Sequence, residues 1–256
     1  MHKKHDKLSK IGSNTRKISS PIYSHYLKIM HSKNIRWNSF DTIESLRHKV
    51  CDVIMRYAAS AINAKGAFSI VLAGGNTPRA IYRLLRDMPT DWSKWHIYIN
   101  DDRCLTVDHE ERNSLMVDQV WLSHVGIPTS QIHAIPAELG PVEGAKAYAK
   151  TLANVPAFDL VLFGLGEDGH TASLFPGHAV DNSADAVPVF NSPKPPAERV
   201  TMSQNRLNNT KAAMFLVTGE GKQEAVDNWR NGVAIPAALI TPACGVDVYC
   251  YDVELK

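Results

Sequence analysis

A histidine flanked by two carboxylates and two glycines is the group in this sequence best suited to chemistry. An apolar run over 160–165 is followed by Glu167, Asp168, Gly169 and His170. A continuous apolar run of this length indicates a strand buried on both faces of a parallel sheet, although a short buried helix would give the same pattern. Ligands of open α/β sheets bind at the carboxyl ends of the strands, so an imidazole here could exchange protons with a substrate. The alternative is a surface histidine beside an ordinary turn.

A second candidate is a glycine-rich turn made of Gly74, Gly75, Asn76 and Thr77. An apolar run over 68–73 predicts a buried strand before it, and a helix is predicted over 78–88 with proline at its first position. Such a turn between a strand and a helix can bind a phosphate through backbone N–H groups and the helix dipole. It lacks the lysine of a P-loop and the third glycine of a dinucleotide fingerprint. A plain strand-to-helix turn remains the competing interpretation.

Ionic residues follow two further predicted strands. The strand predicted over 95–99 leads into a charged tip made of Asn100, Asp101, Asp102 and Arg103. A solvated loop is the commonest role of such a run. A strand predicted over 212–218 precedes a helix predicted over 220–229, and Lys222 lies in the first turn of that helix. Because cations are unfavourable at this end of a helix, Lys222 is easier to explain if an anion binds nearby.

Helices and strands alternate along the rest of the chain. We predict helices over 42–65, 109–119 and 142–152, a helical turn over 236–240, and strands over 199–203 and 246–251. Asp41 is the predicted N-cap of the first helix. Residues 171–175 are predicted to begin a helix, 177–191 to form a loop, and the proline-rich 192–196 to be stiff and extended. The alternation predicts an α/β fold with a doubly wound, mainly parallel sheet, in one domain over 36–256.

Composition excludes several classes of protein. Of 256 residues, 44% are hydrophobic and 21% charged, which is typical of a globular domain. The net charge of +2 gives no whole-protein field that would favour nucleic acid or a membrane surface. No apolar run approaches the ~20 residues that span a bilayer. The four cysteines form no CxxC pair, which indicates free thiols in the cytoplasm. We expect a soluble protein, without metal or cofactor, that is a monomer or a small homo-oligomer.

The first 35 residues differ from the rest of the chain. They contain eight Lys or Arg residues and a single acid, Asp6. They lack the apolar core of a secretory signal. A basic, acid-poor composition is similar to that of an organelle transit peptide. A flexible extension, or a start codon assigned too far upstream, is the alternative interpretation.

Five ordered segments resemble one family of enzymes, the 6-phosphogluconolactonases. They are AGGNTPRAIY (73–82), NDDRCLTVDHEERNS (100–114), GLGEDGHTASLFPG (164–177), SPKPPAERVTMS (192–203) and LVTGEGKQEAV (216–226). The resemblance extends from about residue 36 to the C-terminus. The wider relatives of this family include glucosamine-6-phosphate deaminase and ribose-5-phosphate isomerase. The resemblance therefore implies the type of fold that these enzymes share. One departure is visible, because the family usually has Gly-Asp-Glu-Arg where this chain has Asn-Asp-Asp-Arg at 100–103.

The resemblance implies a substrate, 6-phospho-D-glucono-1,5-lactone, and roles for particular residues. His170 would act as general base and then as general acid, since the unperturbed pKa of a histidine, ~6.5, lies near working pH. Asp168 or Asp101 would orient the imidazole or the water. The turn at 74–77 would bind the phosphate, with Lys222 and either Arg103 or Arg199 as counter-charges. Asn208 matches a family Leu-Asn position and would bind the sugar.

Two other functions compete with lactone hydrolysis. A sugar-phosphate deaminase or isomerase could share this scaffold, but the deaminase branch continues after its histidine with Ile-Ala-Phe-Asn-Glu-Pro, whereas 171–176 here are Thr-Ala-Ser-Leu-Phe-Pro. A non-catalytic sugar-phosphate sensor would need a helix-turn-helix before the body, and residues 1–35 show no clear pair of amphipathic helices. The expected function is lactone hydrolysis in the oxidative pentose phosphate pathway.

Overall fold

The computed structural model describes residues 34–179 and 181–255, and within them the chain alternates between strands and helices. The strands are β1 (Ile35–Ser39), β2 (Phe68–Leu72), β3 (Trp95–Ile99), β4 (Asp101–Arg103), β5 (Ile132–His133), β6 (Leu160–Gly164), β7 (Ala186–Val189), β8 (Arg199–Met202), β9 (Ala213–Thr218) and β10 (Val246–Tyr251). The α-helices are α1 (Ile43–Lys65), α2 (Asn76–Leu85), α3 (Asn113–Val120), α4 (Pro141–Leu152), α5 (Gln204–Asn208) and α6 (Gln223–Arg230). The 3-10 helices are Trp92–Lys94, Leu122–His124, Thr129–Gln131, Ala137–Leu139, Glu220–Lys222 and Pro236–Leu239.

Seven strands form one parallel sheet flanked by helices, in the order β1-β10-β9-β6-β2-β3-β5. This confirms the predicted α/β class. The central strand β6 is buried, with Leu160 and Phe163 fully inaccessible to solvent. A strand covered by helices on both faces needs apolar residues at every position, which explains its unbroken apolar run. The helical alternative for this run is therefore wrong.

Three strands outside the main sheet pair in the order β4-β8-β7, and both pairs are antiparallel. Two predictions are corrected here. The charged tip at 100–103 is not a solvated loop, because Asp101 and Asp102 are buried and belong to β4. The segment predicted as a loop contains β7, whose Pro188 lies in an edge strand, where a missing backbone donor is tolerated.

The ends of several helices differ from the predictions for local reasons. Thr42, rather than Asp41, caps α1, because its hydroxyl accepts the N–H of Ser45 at 3.1 Å. The third α-helix begins at Asn113, four residues later than predicted, because 109–112 close a separate turn. Glu220–Lys222 form a 3-10 turn before α6 begins.

Two predicted segments have a different conformation. Residues 171–175 do not begin a helix: Thr171 and Leu174 exchange backbone hydrogen bonds of 3.0 and 3.4 Å, and Ala172 between them has φ 48°. Residues 192–196 bend instead of extending, and the N–H of Ser192 donates to the carbonyl of Ala197. In both segments hydrogen bonds within a short loop determine the backbone path.

A buried ion pair supports the start of α3. Arg112 Nε donates to Asp102 Oδ2 at 2.8 Å, and these side chains are 2% and 0% exposed. The remaining guanidinium groups donate to the carbonyls of Leu105 and Ile135 and to the carboxylate of Glu138. The carboxylate of Asp102 also accepts the backbone N–H of Asn113 at 2.7 Å. The pair therefore fixes the chain on both sides of α3.

Replacing Arg112 with alanine is expected to lower the free energy of unfolding by about 3–5 kcal/mol, because it leaves the Asp102 carboxylate buried without its charged partner. Urea unfolding measures this change. Lys146→Ala is the control, since Lys146 pairs with Glu143 on the surface and should cost less than about 1 kcal/mol. Equal losses in the two variants would show that the buried pair does not support the fold.

The predicted basic extension lies outside the described residues, apart from its last two. Asn34 and Ile35 are described, and Ile35 begins β1, so the edge strand starts one residue before the predicted boundary at 36. Among the described helices, none is both long enough and apolar enough to cross a membrane.

Candidate active site

Three neighbouring strands bring the predicted site residues to one edge of the sheet. The central strand β6 lies between β2 and β9, and all three run parallel. The turn at 74–77, the loop at 165–175 and the turn at 219–222 therefore leave the sheet at the same carboxyl edge, in adjacent positions. The hydroxyls of Thr77 and Thr218, 2.5 Å apart, connect the first of these segments to the end of β9.

The His170 imidazole is held by Asp168. Its Nδ1 lies 2.5 Å from Asp168 Oδ1, and the backbone N–H of His170 donates to the same oxygen at 3.1 Å. Burial alone would raise the pKa of Asp168, but these hydrogen bonds outweigh it and the pKa is below its ordinary value. An ionised Asp168 keeps a proton on Nδ1, which leaves Nε2 of the partly exposed ring to accept one.

Two glycines allow the loop to fold around this ring. A Cβ atom on Gly166 would lie 2.0 Å from His170 Nδ1 and 2.7 Å from Asp168 Oδ1, so a side chain at this position would occupy the space of the pair. Gly169 has φ +84°, a conformation that favours glycine, and packs against Ile235. The Phe175 ring packs against the imidazole of His170, and the two ring centroids are 4.8 Å apart. The orientation of His170 is thus determined within its own loop.

Asp101 lies in β4, which together with β8 and the start of α3 forms what we call the wall of the site. It makes no hydrogen bond to His170. Its Oδ2 accepts the hydroxyl of Ser173 at 2.5 Å, and its Oδ1 accepts the side-chain amide of Asn113 at 3.2 Å. Arg199 Nη1 is 3.9 Å from Oδ2. Of the two carboxylates suggested by the sequence, Asp168 is the one that binds the imidazole. Asp101 instead connects three segments of the wall.

The two candidate arginines differ in the number of donors they have free. The Arg199 guanidinium is buried and donates to the carbonyls of Lys194, Pro195 and Pro196 at 2.9–3.1 Å. Burial lowers its pKa, although Asp101 opposes this effect. Arg103 is half-buried, and it donates from Nη1 to the carbonyl of Glu111. Its Nε is buried and finds no hydrogen-bond acceptor among the described residues. Arg103 therefore keeps more donor capacity for a ligand.

The glycine-rich turn has the backbone shape that anion binding requires. Gly75 has φ +103° and precedes Asn76, the first residue of α2, so the first backbone N–H groups of that helix are available. Lys222 lies across the sheet edge, partly exposed, at the N-cap of α6. Its ammonium group makes no hydrogen bond or ion pair with the part of the chain that the structure describes. This arrangement places free donors on two sides of the His170 loop.

The structure does not bring Asn208 into this group. Its side-chain oxygen accepts the N–H of Thr241 at 2.8 Å, and its amide donates to the carbonyl of Leu239 at 3.4 Å. Both groups of the side chain are therefore used to attach α5 to the 3-10 helix at Pro236–Leu239.

Three buried polar residues support this part of the site, and two of them, Asn113 and Ser173, were not among the candidates from the sequence. Asn113 and Ser173 are buried polar side chains, and both bind Asp101. Asn100 is also buried and donates to the carbonyl of Leu162 at 3.3 Å, so it attaches the end of β3 to β6. Asn113 begins a helix, Ser173 lies in a loop and Asn100 follows a strand, all places where a polar side chain is ordinary, so only the tertiary contacts distinguish these three.

The described residues contain no group of three or more His, Cys, Asp or Glu side chains close enough to hold a metal ion. The arrangement they do form is an oriented imidazole in the loop after β6, next to the strand β2 that ends in a glycine-rich turn with free backbone N–H groups.

Comparison with known proteins identifies the family to which this chain belongs. Residues 41–249 match the family described as glucosamine-6-phosphate isomerases/6-phosphogluconolactonase. This chain belongs to that family. Because the match covers most of the body, it includes all the segments that form the site.

Several relatives are named as lactonases. The 6-phosphogluconolactonase of Rattus norvegicus is 32% identical over 232 residues, which cover 83% of this chain and 89% of the relative. That of Synechocystis is 39% identical over 176 residues, covering 65% of this chain and 72% of the relative. Among solved structures, a 6-phosphogluconolactonase from Shewanella baltica has a TM-score of 0.76 at 28% identity and covers 86% of this chain and 98% of its own. One from Trypanosoma brucei has a TM-score of 0.76 at 26% identity, with coverage of 85% and 95%.

Proposed function

We infer that this chain hydrolyses 6-phospho-D-glucono-1,5-lactone to 6-phosphogluconate, a step of the oxidative pentose phosphate pathway. The names of its relatives support this substrate. The observation that carries the chemistry is the bond between Asp168 and His170, at the end of a strand whose neighbour ends in the turn at 74–77. A base beside an anion-binding turn suits a neutral ester that carries a phosphate.

The His170 imidazole acts first as general base. Its Nε2 takes a proton from a water molecule as the water oxygen forms a bond to C1 of the lactone. Asp168 stabilises the imidazolium that results, because its ionised carboxylate accepts a hydrogen bond from the Nδ1–H group. The tetrahedral intermediate then collapses, the bond between C1 and the ring oxygen breaks, and Nε2 returns its proton to that oxygen. The products are the open-chain acid and a regenerated neutral imidazole.

Arg103 is the arginine that contacts an anionic oxygen of the substrate. A guanidinium with unused donors can form charge-assisted hydrogen bonds, whereas that of Arg199 is already occupied by three backbone carbonyls. Arg199 instead shapes the wall through Asp101 and the neighbouring loop. Asn208 has its side chain bound to Leu239 and Thr241, and we assign it no contact with the sugar.

The phosphate is bound by the backbone of Gly74, Gly75, Asn76 and Thr77, with Lys222 as the counter-charge. Replacing Lys222 with alanine is expected to raise KM by about 10- to 100-fold, the value of one or two charge-assisted hydrogen bonds, while kcat changes little. A contact that binds ground state and transition state alike has this signature. Steady-state kinetics of Lys222→Ala and of the exposed control Lys150→Ala measure it. A fall in kcat at constant KM would place Lys222 in the chemical step instead.

The proposed function is tested by an assay on freshly generated 6-phosphogluconolactone, corrected for spontaneous hydrolysis. The full-length chain should accelerate ring opening. A shortened chain that begins at Asn34 should retain this activity, because we propose that 36–256 forms one catalytic domain and the strand before it starts at Ile35. Failure to accelerate hydrolysis, together with ammonia release from glucosamine 6-phosphate, would indicate the deaminase reaction.

We propose that the protein acts in the cytoplasm, on a small molecule and without nucleic acid, as a monomer or small homo-oligomer. Relatives from rice and Arabidopsis are named as chloroplastic, so targeting by residues 1–35 is the alternative. Imaging of a C-terminal fluorescent fusion, with and without residues 1–33, distinguishes the two locations.

A further inference from the structure

We propose that Asn113 is a positioning residue that fixes the phosphate-binding turn relative to the loop that carries His170. The proposal rests on the function proposed above, since it assigns Asn113 a part in the same reaction. Asn113 is the first residue of α3 and contacts neither His170 nor Asp168 in any hydrogen bond of the described residues. Its contacts lie on the two segments that must cooperate.

The first contact is with the turn. A Cβ atom on Gly74 would lie 2.0 Å from the side-chain oxygen of Asn113 and 2.4 Å from its Cγ. The amide of Asn113 therefore lies directly against the Gly74 backbone, in the space that any other residue's side chain would need. The Gly74 backbone and the Asn113 amide are in close contact, so a shift of the amide would also shift the turn.

The second contact reaches the His170 loop through Asp101. The Asn113 amide donates to the Asp101 carbonyl at 2.9 Å and to its Oδ1 at 3.2 Å. The other carboxylate oxygen of Asp101 accepts the hydroxyl of Ser173 at 2.5 Å. Ser173 lies three residues after His170 and is 3% exposed. A continuous chain of buried contacts thus joins Gly74 to the His170 loop through two side chains.

The chain of contacts is fixed at its centre. The backbone N–H of Asn113 donates to Asp102 Oδ1 at 2.7 Å, and Asp102 is held by the buried guanidinium of Arg112. Asparagine suits this place because its oxygen can pack on the turn while its amide donates to Asp101. An aspartate would place a second carboxylate beside Asp101 and would lack the donor.

The rate of the reaction should depend on the distance between the phosphate-binding turn and His170. Binding energy from the phosphate can accelerate the reaction at C1 only if the two binding regions are held at a set separation. A misplacement of about 1 Å, caused far from the reacting atoms, can lower the rate about 10²-fold. Asn113 would therefore affect kcat through the position of the bound lactone, without touching it.

A double-mutant cycle on the full-length chain tests the proposal with 6-phosphogluconolactone as substrate. Asn113→Ala should lower kcat by about 10- to 100-fold with KM changed only a few-fold. In the Lys222→Ala background the same substitution should cost less in kcat/KM, because the phosphate no longer sets the position of the lactone. A purely structural residue would give additive losses in kcat/KM. Asn63→Ala, an exposed asparagine on α1, is the control and should match the wild type.

A second variant keeps the test decisive if Asn113→Ala folds poorly. The Asn113→Asp variant should regain activity relative to the wild type as the pH is lowered, because a protonated carboxyl can again donate to Asp101. Additive losses in the cycle, or an Asn113→Asp ratio that does not change with pH, would overturn the proposal. Absence of lactone turnover in the wild type would instead refute the proposed function and, with it, this role for Asn113.

Discussion

Replacing His170 with alanine is expected to lower kcat by about 10²–10⁴-fold, the usual contribution of a general acid–base group, with little change in KM. The imidazole is the group oriented by Asp168, whose bond to Nδ1 leaves Nε2 without a hydrogen-bond partner among the described residues. The phosphate contacts that we propose at 74–77 and Lys222 do not involve this ring. Binding should therefore survive while proton transfer is lost.

Single-turnover and steady-state assays of His170→Ala measure this effect. His124→Ala is the matched control, because His124 is exposed and, among the described residues, its ring makes one hydrogen bond, to the carbonyl of Gln119 in the preceding helix. The control should have wild-type kcat. If His170→Ala hydrolyses the lactone at the wild-type rate, another group must activate the water.

The second large effect is expected from a residue that has no side chain. Gly166→Ala should lower kcat by about 10²-fold or more, because the added methyl group would lie 2.0 Å from His170 Nδ1 and 2.2 Å from its Cε1. The ring must move away, and the same methyl group would lie 2.7 Å from Asp168 Oδ1, so the bond between the two side chains is lost as well.

The matched control for this substitution is Gly126→Ala. Gly126 is exposed, and a Cβ atom built on it meets no other atom within 4 Å. Both variants should have wild-type binding of 6-phosphogluconate within a few-fold, and only Gly166→Ala should lose turnover. Full activity in Gly166→Ala would show that the observed orientation of His170 is not the one used in catalysis.

The main sheet was predictable because each of its central strands is buried on both faces. Such strands carry an unbroken apolar sequence, as in Leu160–Gly164 and Ala213–Thr218, and the pattern is visible without any knowledge of neighbours. The glycine-rich turn and the histidine follow these strands directly. Their common location at one edge then follows from the parallel order of the strands.

Of the smaller sheet, only β8 was predicted from local pattern, as the strand over 199–203, while β4 and β7 were predicted as loops. Its strands are short, β4 is made of charged residues, and each acquires its conformation by pairing with a strand distant in sequence. Asp101 and Asp102 are buried because Ser173, Asn113 and Arg112 supply partners for them. A run of charges that is neutralised in this way looks in sequence like an exposed loop.

Only the local part of the candidate site could be predicted from the sequence. His170 and Asp168 are two residues apart, so their contact is a local one that the sequence could suggest. The role of Asp101 could not be predicted in this way, because it depends on a hydrogen bond to Ser173, 72 residues away in sequence. The choice between Arg103 and Arg199 depends on the bend of the loop before Arg199, whose carbonyls accept the donors of that guanidinium. Asn113 was visible only as a residue inside a predicted helix, and nothing in the sequence places it against Gly74.

The most direct test of the account is a crystal structure of the full-length chain with 6-phosphogluconate bound. The account predicts that the phosphate accepts hydrogen bonds from the backbone of residues 75–77 and from Lys222, and that the C1 carboxylate lies within hydrogen-bond distance of His170 Nε2. A product molecule whose phosphate lies away from this turn, or whose C1 end points away from His170, would contradict it.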